Sequence, residues 1–180
     1  MKNFLLFIWE TVKVVLVALV IVIPIRYFLF QPFVVSGQSM EPNYSHGDYL
    51  IVDEISYRFR EPERGEVIVF RYPENPSFRH IKRVIGLPGE TIIIEEDMIK
   101  IVLNEQEIIL DESEYLDGFK SSEKVEIILK EKEYFVMGDN RSASFDSRRW
   151  GSLSREYIIG RSFLRVFPFT NFRISKAPLY

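Results

Sequence analysis

Hydrophobic positions fall into two regimes along the chain. From Phe4 to Phe30 they are nearly continuous: of these 27 positions only Glu10, Thr11, Lys13, Pro24 and Arg26 are not apolar. From Val34 onward the run gives way to short β-branched stretches separated by turn signals such as Gly-Asp, Pro-Gly and Arg-Gly. The stretches are Tyr49–Val52, Glu66–Arg71, Arg79–Ile85, Thr91–Glu95, Ile99–Leu103, Ile108–Leu110, Val125–Leu129, Tyr134–Met137 and Ile158–Val166. Each reads as a strand. No long amphipathic helical period follows residue 31. The expected fold is mainly β: an N-terminal transmembrane helix, then an antiparallel β-barrel-like domain. There is no internal repeat and no second boundary, so the expected division is a membrane anchor at 1–30 and a β-rich domain at 31–180. The acidic, turn-rich segment Asp111 to Lys124 reads as an exposed loop or hairpin excursion.

The anchor expectation rests on length. A helix over 4–30 reaches roughly 40 Å, more than the ~30 Å hydrocarbon core. The densest part is Val14–Ile25. Glu10 and Lys13 lie three apart on one face, Arg26 can snorkel, and Trp9 and Tyr27 suit the two interfaces. A cleavable signal peptide would be shorter and end in small residues, whereas this run ends in Tyr27-Phe28-Leu29-Phe30-Gln31-Pro32. A buried core helix would be less apolar around its circumference. Lys2, Lys13 and the amino terminus favour an inside N-terminus, with Arg26 opposing.

Composition narrows the chemistry. The chain carries 23 basic and 26 acidic residues among 180, a net charge of −3, so nothing points to a nucleic-acid partner. It has no cysteine and only two histidines, His46 and His80. Disulfides, thiol nucleophiles and cysteine-ligated zinc are excluded, and a histidine-rich metal site has no material.

Four stretches could carry chemistry. In Ser36-Gly37-Gln38-Ser39-Met40-Glu41-Pro42, glycine and proline flank Ser39. Such a turn can hold a hydroxyl in the open with its own N–H aimed at the same space, supplying nucleophile and oxyanion donor together. A plain surface turn has the same composition. The stretch Pro62 to Phe70 reads as a turn entering a buried scaffold strand. In His80-Ile81-Lys82-Arg83-Val84-Ile85-Gly86-Leu87-Pro88-Gly89, strand alternation places His80 and Lys82 on one face and Arg83 on the other. Arg83 stays protonated, but Lys82 becomes a base if burial lowers its pKa. A solvated strand lysine is the bland reading, and His80 is the competing base. The fourth stretch, Gly138-Asp139-Asn140-Arg141-Ser142-Ala143-Ser144-Phe145-Asp146-Ser147-Arg148, can brace a site wall and orient a lysine amine; a salt-bridged surface loop would look similar.

Together, in this order, the four stretches resemble the bacterial type I signal peptidases, compact single-anchor type, over essentially the whole chain. The resemblance implies a Ser-Lys dyad with Ser39 as nucleophile and Lys82 as general base, Ser144 as the hydroxyl that orients the lysine, and Asp146 with Arg148 as a bracing ion pair. Some members carry a serine two residues before the nucleophile to complete the oxyanion hole. Here that position is Gly37, which offers only its backbone N–H. Glu66 and Glu90 stand where aspartate is usual, and Asn43 where threonine is common.

The resemblance implies a membrane-bound serine endopeptidase that removes N-terminal signal peptides from exported preproteins. Its localisation would be the plasma membrane, single-pass, with the catalytic domain on the extracytoplasmic side. Partners would be exported preproteins and the lipid bilayer, with no nucleic acid, no cofactor and no metal. Substrate would lie extended beside the Lys82 strand, with small side chains at −3 and −1 admitted by pockets walled by residues such as Met40. Phe33, Val34, Val35 and Met40 would either touch the bilayer or pack into the core. Two alternatives stay open: a LexA-type self-cleaving Ser-Lys protease, and a catalytically inactive membrane-anchored preprotein-binding protein.

Overall fold

The computed structural model describes residues 2–28, 30–95, 98–116 and 124–178. Helix α1 (Lys2–Phe28) leads directly into strand β1 (Phe30–Val34). There follow β2 (Tyr49–Asp53), β3 (Val67–Tyr72), β4 (Asn75–Gly86), β5 (Thr91–Glu95), β6 (Met98–Leu103), β7 (Gln106–Ile109), β8 (Val125–Ile128) and β9 (Glu133–Met137). A single helical turn, α2 (Ser147–Trp150), precedes β10 (Leu153–Ser154), β11 (Ile158–Phe167) and β12 (Arg173–Ile174).

All strand pairs are antiparallel, in two sheets. The larger has the order β1-β2-β11-β3-β4-β9-β10, with β12 added on β11; the smaller runs β7-β6-β5-β8. The expected barrel is therefore corrected. Among the described residues β1 and β10 lie at opposite ends of the large sheet and do not pair with each other, and no closed barrel forms. The chain between β4 and β9 does not extend the wall. It folds into the second sheet with its own apolar cluster of Ile92, Ile94, Ile99, Ile101 and Leu129 against Ile85, Phe135 and Met137.

Local sequence explains the elements. The β6–β7 hairpin turns on Asn104 and Glu105, both at positive φ, as a two-residue loop matching strand twist requires. Strand β1 carries Pro32, which lacks a ladder donor and so suits the sheet edge it occupies. Val35, Met40 and Tyr44, around the Ser39 turn, sink into one core cluster with Leu50, Val52 and Ile81. Ile68, Phe70, Val84 and Val136 form the other face. Met40 and Val35 are thus core residues, Phe33 is partly buried against them, and Val34 alone of the four is exposed. Met40 is fully buried and presents no free wall to solvent, because its side chain fills the space beneath the turn.

Every described side chain of α1 is exposed, from Phe4 through Val14 and Val17 to Val22. Among the described residues no helix is long and apolar enough to cross a membrane.

Candidate active site

Three segments distant in sequence converge. The Ser39 turn follows β1, Lys82 lies on β4, and the loop 138–148 links β9 to α2. Lys82 Nζ donates to Ser39 Oγ at 2.7 Å and to the Ile81 carbonyl at 2.9 Å. Its side chain is only 4% exposed. Burial disfavours the ammonium and brings its pKa down to about 8, against an opposing pull from the Asp146 and Asp139 carboxylates. An amine that gives up its proton near pH 8 and touches a hydroxyl can act, in its neutral form, as that hydroxyl's base.

His80 lies elsewhere. Its ring stacks on Tyr72 at 5.0 Å and meets the edge of Phe70 at 5.9 Å. Burial, then the Lys82 charge, lowers its pKa. Of the two candidate bases, only Lys82 is hydrogen-bonded to Ser39.

The loop 138–148 is held from within. Asp146 caps α2 and accepts from Arg148 Nε at 2.8 Å, from Arg148 Nη2 at 2.9 Å and from the Gly138 N–H at 3.0 Å. Burial alone would raise the Asp146 pKa; the Arg148 pair and these bonds bring it below the ordinary value. Ser144 Oγ is buried beside that carboxylate, short of normal hydrogen-bond geometry with any described group. It packs against Gly138. A Cβ at Gly138 would overlap both Ser144 Oγ and the Ser39 carbonyl oxygen, so the bare glycine lets the three segments close.

Gly37 sits at φ +93° with open space around it. Its N–H donates to His46 Nδ1 at 3.1 Å and is already engaged. The second oxyanion donor considered from sequence is therefore occupied, because the turn folds back onto His46. That contact links side chain to backbone across nine residues and has no sequence signature.

Sequence reasoning also passed over an inner layer. Arg83, on the far side of β4, grips Asp139 through Nε at 2.8 Å and Nη2 at 2.6 Å, with both side chains buried. The Asn140 N–H donates to the Ser39 carbonyl at 3.0 Å. Asn43 Nδ2 donates to Asp139 at 3.0 Å. The available signal was the neighbouring opposite charge in the KR and GDNR stretches. The stretch 62–70 is scaffold as read: Glu66 accepts from Tyr57, Arg60 and the Glu63 N–H, and Arg64 pairs with Glu90. Both glutamates are buried and held by an arginine, Glu66 by Arg60 and Glu90 by Arg64.

This fold and site define a serine peptidase. The family model for signal peptidase, peptidase S26, matches residues 8–167, and the chain belongs to that family. A signal peptidase I from Leptolyngbya laminosa is 36% identical over 166 residues, covering 88% of this chain and 79% of the relative. One from Bacillus licheniformis is 34% identical over 175 residues, covering 92% and 91%. A solved signal peptidase I from Enterococcus faecalis V583 is 31% identical, covers 57% of this chain and 97% of that one, and superposes with a TM-score of 0.48. The protein is a serine peptidase that removes signal peptides. Neither a LexA-type self-cleaving protease nor an inactive binding protein is favoured by these relatives.

Proposed function

We propose that the chain cleaves signal peptides from exported preproteins by a Ser39–Lys82 dyad while held at the membrane by α1. The observation carrying the dyad is the 2.7 Å contact between Lys82 Nζ and Ser39 Oγ in a buried setting. In the neutral amine, the Lys82 lone pair takes the Ser39 proton as Oγ attacks the scissile carbonyl. Collapse of the tetrahedral intermediate passes that proton to the leaving amine and leaves an acyl-Ser39. Water, deprotonated by Lys82, then releases the acid and restores the serine. The Ser39 N–H is the backbone donor to the oxyanion, since that of Gly37 is taken. The family resemblance gives Ser144, whose Oγ is buried beside Gly138 and the Asp146 carboxylate, the role of orienting Lys82, and the Asp146–Arg148 pair braces its loop.

Substrate docks as an added strand. Along β4, strand β9 covers Arg83–Gly86, so among the described residues the stretch of β4 leading to Lys82 has β3 on one side and no paired strand on the other. Side chains at −3 and −1 of an extended peptide point the same way, toward the enzyme, which supports a requirement for small residues at both.

The anchor is supported by the 22 apolar residues among positions 4–30 and by the exposure of every described side chain of α1. Such a surface needs a non-aqueous partner. The catalytic domain at 31–180 then stands outside the cytoplasm at the plasma membrane. The test of the function is cleavage of a model preprotein in detergent, with Ser39→Ala as control; product from that variant overturns the dyad. The test of topology is protease added to intact spheroplasts. Digestion of the β domain is expected, and its protection reverses the orientation.

A further inference from the structure

The excursion between β7 and β8 begins with a tight turn, in which the Tyr115 and Leu116 N–H groups donate to the Glu112 carbonyl at 3.1 and 3.0 Å. Sequence placed this turn in an exposed loop. Instead Glu112 and Leu116 are buried; residues 117–123 of the excursion lie outside those described.

The turn touches all three segments of the site. Glu112 receives a two-pronged ion pair from Arg141, at 2.6 and 2.5 Å, and a hydrogen bond from Tyr115. Arg141 in turn donates through Nε to the Gly138 carbonyl at 2.9 Å, at the glycine packed against Ser39 and Ser144. The Tyr115 ring lies under the Arg83 guanidinium at 4.0 Å, next to Lys82 in the chain. The Tyr115 carbonyl accepts from Asn43 Nδ2 at 2.8 Å, four residues beyond Ser39. One short turn therefore holds the nucleophile turn, the base strand and the 138–148 loop at once.

We propose that Glu112 and Tyr115 are positioning residues for the Ser39–Lys82 pair, acting through Arg141, Arg83 and Asn43. The inference rests on the dyad reading above. Buried charge pairs are poor sources of net stability but fix geometry when both partners are present. A displacement of about 1 Å between nucleophile and base is enough to cost on the order of a hundredfold in rate. Neither residue reaches the reacting atoms, so substrate binding should not depend on them.

The experiment compares Glu112→Gln, Tyr115→Ala and Ser39→Ala in the full-length protein, on a model preprotein peptide, with thermal melting of each. Glu112→Gln removes the charge that fixes Arg141. Tyr115→Ala leaves the ion pair intact and removes the ring beneath Arg83. The expected result is a fall in kcat of tenfold or more for Glu112→Gln, and a smaller fall for Tyr115→Ala, with KM within twofold and melting above the assay temperature. If Glu112→Gln does not fold, Tyr115→Ala decides. A folded variant with wild-type kcat, or with its loss confined to KM, overturns the proposal. The Ser39 control separates the two readings: activity in Ser39→Ala sinks the dyad, whereas an inert Ser39→Ala beside a fully active Glu112→Gln sinks the positioning role alone.

Discussion

The backbone of Asn140 holds the backbone of Ser39: an N–H to carbonyl bond of 3.0 Å fastens the loop after β9 to the nucleophile turn. Because that bond needs no side chain, substitutions around it act through sterics and charge rather than through its loss.

Lys82 should prove irreplaceable. Lys82→Arg keeps a positive charge in place but cannot surrender its proton. Turnover should fall by at least about a thousandfold, as when a catalytic unit loses one member. Near-normal turnover in this variant would move the base elsewhere, His80 being first in line.

The acid limb of the rate profile follows from the same lysine. Its pKa, lowered by burial to about 8, requires kcat/KM to rise about tenfold per pH unit below that value and level off above it. Full activity well below pH 5 would contradict a lysine base.

Burial of Lys82 also opposes stability. The folded state holds its proton less tightly than the unfolded chain, whose lysine titrates near 10.5. Between about pH 8 and 10.5 the unfolded chain binds more protons, so stability rises with pH across that window and the penalty is fully present below it. Lys82→Met should therefore melt higher than wild type at pH 7, by up to roughly 3 kcal/mol less the lost hydrogen bonds. Urea melts at pH 7 and pH 10 test both statements; a destabilised Lys82→Met at pH 7 would refute the sign.

Gly138→Ala forces a methyl against Ser144 Oγ and the Ser39 carbonyl, and the latter, being backbone, cannot swing away. A cost of about 1–3 kcal/mol in stability is expected, with a larger proportional loss of kcat. Comparison of the urea midpoint with kcat separates the two effects.

Asp139→Asn breaks the buried pair with Arg83 and leaves that guanidinium uncompensated, at a cost of roughly 3–5 kcal/mol. Asp139 also raises the Lys82 pKa, so the surviving activity should show its acid limb displaced to lower pH. An unmoved limb would mean that Lys82 does not sense this carboxylate.

Much of this was legible in sequence where the signal is local. Thr91–Glu95 is a β-branched run bounded by Pro88-Gly89 and an acidic stretch, and it is strand β5 with the same bounds. Strand β1 was hidden because its residues continue the apolar run and include Pro32; β10 and β12 have two residues each and no period to read. Ser39 and Lys82 stood out because their motifs are local. Glu112 did not, because an acidic residue in a turn looks solvated until its arginine, 29 positions away, is found beside it. The engagement of Gly37 by His46 was invisible for the same reason.

Strand β11 lies between β2 and β3, so the strands beside the Ser39 turn and the strands bearing Lys82 are bridged by a segment made after both. Ribosomes deliver N-terminal segments first, and long-range strand pairings form slowly. Until β11 has emerged, the hydrogen-bonded ladder of the large sheet is in two parts, β1-β2 beside the hydroxyl and β3-β4-β9-β10 bearing the amine. The order of synthesis thus separates having the reactive groups from framing them: both are present in the nascent chain before the strand that completes the sheet around them.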